Sequence, residues 1–379
     1  MEQTIISARE NYRALGEALS RLGVKKLLLV CGRSVRYLTG LCAFLEDLPH
    51  QGVEVVRFSD FQPNPLYENV LAGVRVFREQ GCDGIFAVGG GSAMDVAKCI
   101  KLYASMEGSG EDGAFLRAQA VPNAIPFLAM PTTAGTGSEA TRFAVIYYQG
   151  RKQSVTSESF IPGTVVMDPS PLKTLPLYQK KATMMDALCH AIESFWSVNS
   201  TEESKKYSKA AVEGVLANLE GYLANTEEGN AGMLLAAHTA GKAINITQTT
   251  AGHAMCYKLT SLFRCAHGHA AILCDRVLFP WMIDNTDRCI DPRGEGYLKD
   301  ILDQIGVALG GTDARTGALR LVWLFDNLEL AVPCAQEEQL RELTGSVNPD
   351  RLKNHPVALD EAAIEGLYRR ILKGNPQSL

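Results

Sequence analysis

The 379 residues exceed what one hydrophobic core usually serves, so two domains are expected. A formal net charge of -5 leaves no basic footprint for nucleic acid, and 46% hydrophobic with 21% charged residues is the balance of a folded chain rather than a disordered one. No run reaches the ~18 apolar residues of a membrane span, the first residues show no signal-peptide core, and the ten cysteines are scattered without a C-x-x-C pair; a cytoplasmic protein with reduced thiols and no membrane partner is expected.

Apolar positions recur at helical spacing from Asn11 to Leu22, and Gly23 ends that helix. The continuous apolar run 25–31 then reads as a buried parallel strand, with Gly32-Arg33-Ser34 as the turn after it. A helix, a second strand over 53–58, a Pro-rich exit at 62–65, a helix over about Leu66 to Gln80 and a third strand at 84–88 follow. Strands alternating with helices predict a doubly wound α/β domain, to which 128–131, 144–148 and 164–168 add the remaining strands. After Pro169-Ser170-Pro171 the period becomes helical and long β-branched runs disappear. The division expected is therefore an α/β dinucleotide-binding domain over 1–176 and an all-helical domain over 177–379.

Two loops leave strand ends in the first half. Gly89, Gly90 and Gly91 allow close backbone approach, and with Ser92 at the start of a helix they form a cradle suited to a pyrophosphate; a generic glycine turn is the plainer alternative. The second loop, Pro131 to Thr141, carries hydroxyls and small residues that suit a nucleotide wall or, equally, a solvated turn.

In the second half, Asp186 and His190 stand four apart on a predicted helix, which puts a carboxylate and an imidazole on one face. An ordinary surface or capping pair has the same spacing. With His253 and His267 as two further ligands the set would be a mixed O/N site suited to Fe(II) or Zn(II), and one with room for a substrate oxygen would be catalytic.

With these motifs in hand, the chain resembles the iron-containing (group III) alcohol dehydrogenase family over essentially its whole length. The matching elements are Gly89-Gly90-Gly91-Ser92 with Asp95 and Lys98, the loop from Pro131 to Glu139, Asp186 with His190, and His253 with His267-Gly268. The resemblance implies the dehydroquinate synthase-like fold, with Asp186, His190, His253 and His267 as metal ligands and Gly90, Gly91 and Ser92 on the cofactor diphosphate. It places Asp95, Thr132, Thr133 and Ser138 along the nucleotide, and it implies a homodimer. Two positions depart from the family pattern. Tyr257 stands where members often carry a further His beside the nicotinamide, so Tyr257, a ribose hydroxyl or water would handle the proton, with Tyr257 and His267 as the catalytic candidates. Gly32 and Arg33 stand where NAD-using members place an Asp after the first strand, which leaves NAD and NADP both open.

The stretch 249–270 is similar to the branch of phosphonoacetaldehyde and sulfoacetaldehyde reductases, which act on two-carbon aldehydes with an acidic head group. Arg142, Lys258 and Arg264 are the cationic candidates for such an anion. The expected activity is metal-dependent hydride transfer from NAD(P)H to a short aldehyde giving the alcohol. The alternatives are a dehydroquinate synthase-like lyase using metal and NAD, a dehydrogenase of a neutral alcohol or diol, and a non-catalytic nucleotide-binding protein.

Overall fold

The computed structural model describes residues 3–9 and 11–374 of the chain, which divides into two compact units, Met1–Leu175 and Pro176–Leu379. The strands of the first unit are β1 (Thr4–Ser7), β2 (Lys26–Cys31), β3 (Glu54–Phe58), β4 (Gly84–Gly89), β5 (Phe127–Pro131), β6 (Phe143–Tyr148), β7 (Arg151–Thr156) and β8 (Thr164–Met167). Its helices are α1 (Arg13–Arg21), α2 (Thr39–Asp47), α3 (Tyr67–Glu79), α4 (Gly91–Ala104) and the single turn α5 (Ala114–Arg117). Among the described residues, one six-stranded sheet runs in the order β1-β8-β5-β4-β2-β3 with every pairing parallel.

The apolar runs are continuous because both faces of this sheet are covered. Leu28, Val30, Ile85, Ala87, Phe127 and Ala129 bury into one core, while their neighbours Leu27, Leu29, Cys31, Phe86, Val88, Leu128 and Met130 bury into the other. In the sheet order, β2 lies between β3 on one side and β4 on the other, so the chain reverses its winding direction there. Register pairs Cys31 with Val88 and Gly89 with Pro131, so the loops carrying Gly32, Gly90 and Thr132 all leave the same carboxyl edge at this reversal. That edge is where open α/β sheets take their ligands.

Two parts of the sheet expectation change. The segment 144–148 does not join the main sheet; as β6 it pairs antiparallel with β7 through a turn at Gln149 and Gly150, both at positive φ (49 and 72). The partner, Arg151–Thr156, is a polar strand whose pattern shows no apolar run. In addition, β1 forms the sheet edge beside β8, a short strand with a single buried residue.

Beneath the two loops lies a buried lysine. Lys98 on α4 donates to Ser138 O (2.6 Å), Ser138 Oγ (3.0 Å), Thr141 Oγ1 (3.0 Å) and Phe143 O (2.7 Å), fixing the 138–143 segment to the helix that follows the glycines. Burial lowers its pKa to about 8 against the opposing charges of Asp95 and Glu139, and burial raises Asp95 to about 6 with Lys98 opposing.

The second unit is helical apart from the two-residue strands β9 (Cys334–Ala335) and β10 (Lys373–Gly374), which pair in parallel. Its helices are α6 (Leu177–Trp196), α7 (Glu202–Leu223), α8 (Glu227–Thr247), α9 (Ala251–Phe263), α10 (His267–Asp284), α11 (Glu295–Ala308), α12 (Ala314–Asn327), α13 (Glu337–Ser346), α14 (Pro349–Leu352) and α15 (Glu361–Ile371). Helix α6 is its centre: every residue from Met184 to Trp196 is buried, with α7, α8 and α10 packed around it. Among the described residues, no helix is long and apolar enough to cross a membrane.

Lys98→Met is expected to lower folding stability by about 3 kcal/mol, because it removes four hydrogen bonds that tie the 138–143 segment to α4. Urea denaturation followed by circular dichroism measures this, and an unchanged midpoint would remove the lysine from the account.

Candidate metal centre

A helix as deeply buried as α6 pays for any polar residue unless that residue finds a partner. Three of its buried polar residues, Asp186, His190 and Glu193, follow one another at spacings of four and three, which aligns them along one face. Glu193, with no exposed surface, takes up the amino end of α9. Its carboxylate accepts from Thr250 N (2.5 Å), Thr250 Oγ1 (2.7 Å) and His253 N (3.0 Å), and it bonds the Nδ1 of His253. A negative charge at a helix amino terminus is favourable in itself. Here it also fixes the ring: Nδ1 faces Glu193, so Nε2 points the other way, toward Asp186.

Two glycines beside the histidines let the three helices approach. A Cβ on Gly268 would stand 2.1 Å from Ala182 O and 2.5 Å from Asp186 Cβ, so only glycine lets the first turn of α10 lie against α6 where His267 meets Asp186. A Cβ on Gly252 would fall 1.9 Å from Asp275 Oδ1 and 2.8 Å from Glu193 Oε1. Asp275 is itself wholly buried, and desolvation together with the charge of Glu193 pushes its carboxyl well above the usual range.

Asp186, His253 and His267 thereby offer one ligand atom each within 4.8 Å of one another. Atoms held about 2.1 Å from one tetrahedral ion lie roughly 3.4 Å apart. Asp186 Oδ1 and His253 Nε2 are 3.5 Å apart, both are buried, and neither has a hydrogen-bond partner. Two inward-facing acceptors without donors are what a cation would satisfy, and one carboxylate oxygen with imidazole nitrogens suits Fe(II) or Zn(II). The electrostatics agree. Burial by itself would raise Asp186, but the imidazoles of His190, His253 and His267 hold its carboxyl well below the usual range. Burial would lower His253, but Glu193 and Asp186 raise it to about 10, so both carboxylates draw positive charge to this position.

His190, one turn after Asp186, is buried beside this trio with its ring 4.5 Å from that of His253 and nearly parallel to it (15°). Tyr257, one turn after His253, stacks on His267 with ring centres 5.5 Å apart, and burial pushes its phenol up. Of the three cationic candidates, Arg142 is paired with Glu158 (2.7 Å) and Lys258 with Glu342 (2.6 Å), while Arg264 is an exposed residue in the left-handed conformation that ends α9. His269, two residues beyond His267, is buried in α10 and joined to Tyr178 Oη (3.0 Å) and Ala331 O (2.9 Å).

In the first unit, α4 begins at Gly91 with Gly90 as a cap that supplies no side-chain acceptor. A Cβ on Gly90 or Gly91 would crowd Thr133 or Thr136 at 3.3 Å, so the glycine turn and the threonine loop lie against one another. Thr132 N donates to Gly89 O (3.0 Å), and Ser92, Thr132 and Thr133 are half-buried here. Ser138 and Asp95 are turned toward each other (3.2 Å) and into the Lys98 network. Gly32 precedes the turn that carries Arg33, which is exposed. The cavity of about 610 Å³ between α1, residues 37–44 and Asp168 contains none of the residues singled out from the sequence.

Comparison with known proteins decides the family. Residues 2–169 match the model for iron-containing alcohol dehydrogenase, and residues 180–372 match the C-terminal model of the Fe-containing alcohol dehydrogenase family. The chain belongs to the iron-containing alcohol dehydrogenase family. It is accordingly an oxidoreductase acting on alcohols or aldehydes. Phosphonoacetaldehyde reductase of Streptomyces viridochromogenes is 33% identical over 78% of both chains, and 1,3-propanediol dehydrogenase of Citrobacter freundii is 33% identical over 73% of both. The crystal structure of sulfoacetaldehyde reductase from Bifidobacterium kashiwanohense in complex with NAD+ superposes with a TM-score of 0.86 at 26% identity, covering 97% of this chain and 96% of that one.

Glu193 escapes a search for ligand motifs, although its spacing three beyond His190 and seven beyond Asp186 carries the signal. Replacing it by Gln should weaken metal retention about 10- to 100-fold, measured by competition with a chelator. Gly268→Ala should cost about 3 kcal/mol of stability and lower the metal stoichiometry together. Wild-type metal retention in both variants would contradict this reading of the site.

Proposed function

We propose that the protein reduces a short aldehyde bearing an acidic head group, of the sulfoacetaldehyde or phosphonoacetaldehyde kind, to the corresponding alcohol with NADH or NADPH as the hydride donor. The balance is aldehyde, reduced nicotinamide and one proton giving alcohol and oxidised nicotinamide. The observation that carries this reading is the pair of partnerless buried atoms, Asp186 Oδ1 and His253 Nε2, set beside His267.

Asp186, His253 and His267 would hold the ion, with His190 as the fourth ligand, and the glycine cradle 89–91 with Ser92 would hold the cofactor diphosphate. When bound, the divalent ion supplies Lewis acidity toward the substrate oxygen and the nicotinamide supplies the hydride. The chain's own part is then positional and protic. Glu193 keeps the His253 ring in one tautomer. Tyr257 Oη accepts from Arg351 (3.1 Å), and a phenol one turn from His253 is a group that can give a proton to the oxygen of the reduced carbonyl. Burial raises this phenol, so it meets the substrate protonated, as an acid must. Arg33, exposed where β2 ends, is the residue through which a 2′-phosphate would be tolerated. The names of two similar proteins, the phosphonoacetaldehyde and sulfoacetaldehyde reductases, support the substrate class.

His267→Ala should remove most of the bound metal and lower turnover at least ~100-fold while leaving nucleotide binding, followed by cofactor fluorescence, close to wild type. Wild-type protein should consume reduced nicotinamide in stoichiometric amounts with the aldehyde, whereas a lyase that recycles its cofactor shows no net loss at the nicotinamide band. Activity and metal content both surviving the substitution would overturn the ligand assignment.

A further inference from the structure

We propose that Arg351 is the residue that binds the acidic head group of the substrate, and that Tyr257 is the platform holding it there. The inference rests on the aldehyde-reductase reading above and deepens it by naming the group that selects the substrate class.

Arg351 lies in α14, 98 residues beyond His253, and reaches the metal ligands through one side chain. Its Nη1 donates to Tyr257 Oη (3.1 Å), and its guanidinium carbon stands 5.0 Å from the centre of the Tyr257 ring. That ring is stacked on His267, centre to centre 5.5 Å. The guanidinium carbon therefore lies no more than about 10.5 Å from the centre of the His267 ring, on the tyrosine that stacks against it. A two-carbon aldehyde with a phosphonate or sulfonate spans roughly 5 Å between its outermost oxygens, and a contact at each end fills such a distance.

The charge of Arg351 is not spent elsewhere. A guanidinium has five N–H donors, and among the described residues only Tyr257 receives one. Asp350, its neighbour in α14, is paired with Lys353 (2.6 Å), Glu342 with Lys258 (2.6 Å) and Glu337 with Arg369 (2.6 Å), and among the described residues Arg351 has no carboxylate partner. A half-buried arginine without a carboxylate is costly unless an anion arrives to match it. Its planar fork is also the geometry that takes two oxygens of a phosphonate or sulfonate at once. Arg142 and Lys258 both lack this freedom, since each already has its carboxylate.

The segment that carries Arg351 is fixed rather than loose. Asn348 caps α14 by accepting from Asp350 N (2.9 Å), and Arg351 N donates to Asn348 O (3.1 Å). Three residues on, Asn354 accepts from Asn199 Nδ2 (2.8 Å) and donates to Thr249 O (3.3 Å), just before α9 begins. The guanidinium is thus held against the same helix that carries His253 and Tyr257.

The test compares two substrates across three proteins. The ratio of kcat/KM for phosphonoacetaldehyde or sulfoacetaldehyde to that for uncharged propanal is measured in wild type, Arg351→Gln and Arg351→Lys; any loss shared through Tyr257 cancels in the ratio. The wild-type ratio should exceed 1 by about tenfold or more, fall about 10- to 100-fold in Arg351→Gln, and be partly restored in Arg351→Lys. Independently of turnover, calorimetric titration with the unreactive ethylphosphonate and ethanesulfonate should show binding to wild type weakened in Arg351→Gln by the same factor; the stronger of the two anions identifies the preferred head group. A ratio unchanged in Arg351→Gln, or no preference for the charged aldehyde in wild type, overturns the assignment while leaving aldehyde reduction standing. Failure of wild type to reduce either aldehyde sinks the functional reading itself, and this inference with it.

Discussion

A carboxylate buried without solvent must be answered by positive charge, and the second half of this protein is built around two of them on one helix. Glu193 is answered by the amino end of α9 and by the imidazole of His253. Asp186 is answered only by the histidines around it, and one of its oxygens faces His253 Nε2 with no donor between them. The energetic cost of holding that arrangement empty is large, because each desolvated polar atom forfeits its hydration without recovering a bond. A cation at the common centre removes the cost. The close approach of α6, α9 and α10, the glycines at 252 and 268 that permit it, and the fixed tautomer of His253 all follow from that requirement.

The same logic separates binding from structure among the polar residues. Lys98, Ser138 and Asp95 form a closed network, each with partners inside the first unit, and their effect is to hold the threonine loop against the glycine turn. His269 is likewise bonded through both ring nitrogens. Asp186, His253 and Arg351 retain donors or acceptors that no described side chain takes up, and Asp186 and His253 turn theirs toward each other beside His267. Incomplete satisfaction in an otherwise well-bonded interior is the more informative signal.

Much of this was legible from the sequence because it depended on local periodicity or short spacing. The central strands are continuous apolar runs, the glycine turn follows one of them, and Asp186 with His190 stands at a helical interval. What escaped depended on information the local pattern lacks. β1 is short and edge-placed with a single buried residue, and the β6 segment, apolar enough for the main sheet, instead found a polar partner in β7 through a tight turn. In the sequence Lys258 reads as an available cation because its carboxylate, Glu342, lies 84 positions away, and nothing local marks Arg351 because Tyr257, which gives it meaning, is 94 positions before it. Charges pair through tertiary contacts that no window of sequence contains.

The central claim concerns what fills the space between Asp186 and its histidines, and X-ray absorption spectroscopy at the iron and zinc edges of the purified protein addresses it most directly. The account predicts one ion per chain with a first shell of oxygen and nitrogen alone at about 2.0–2.2 Å, including imidazole backscattering from histidine. A shell containing sulfur, or protein that binds no ion when offered Fe(II) or Zn(II), would contradict it.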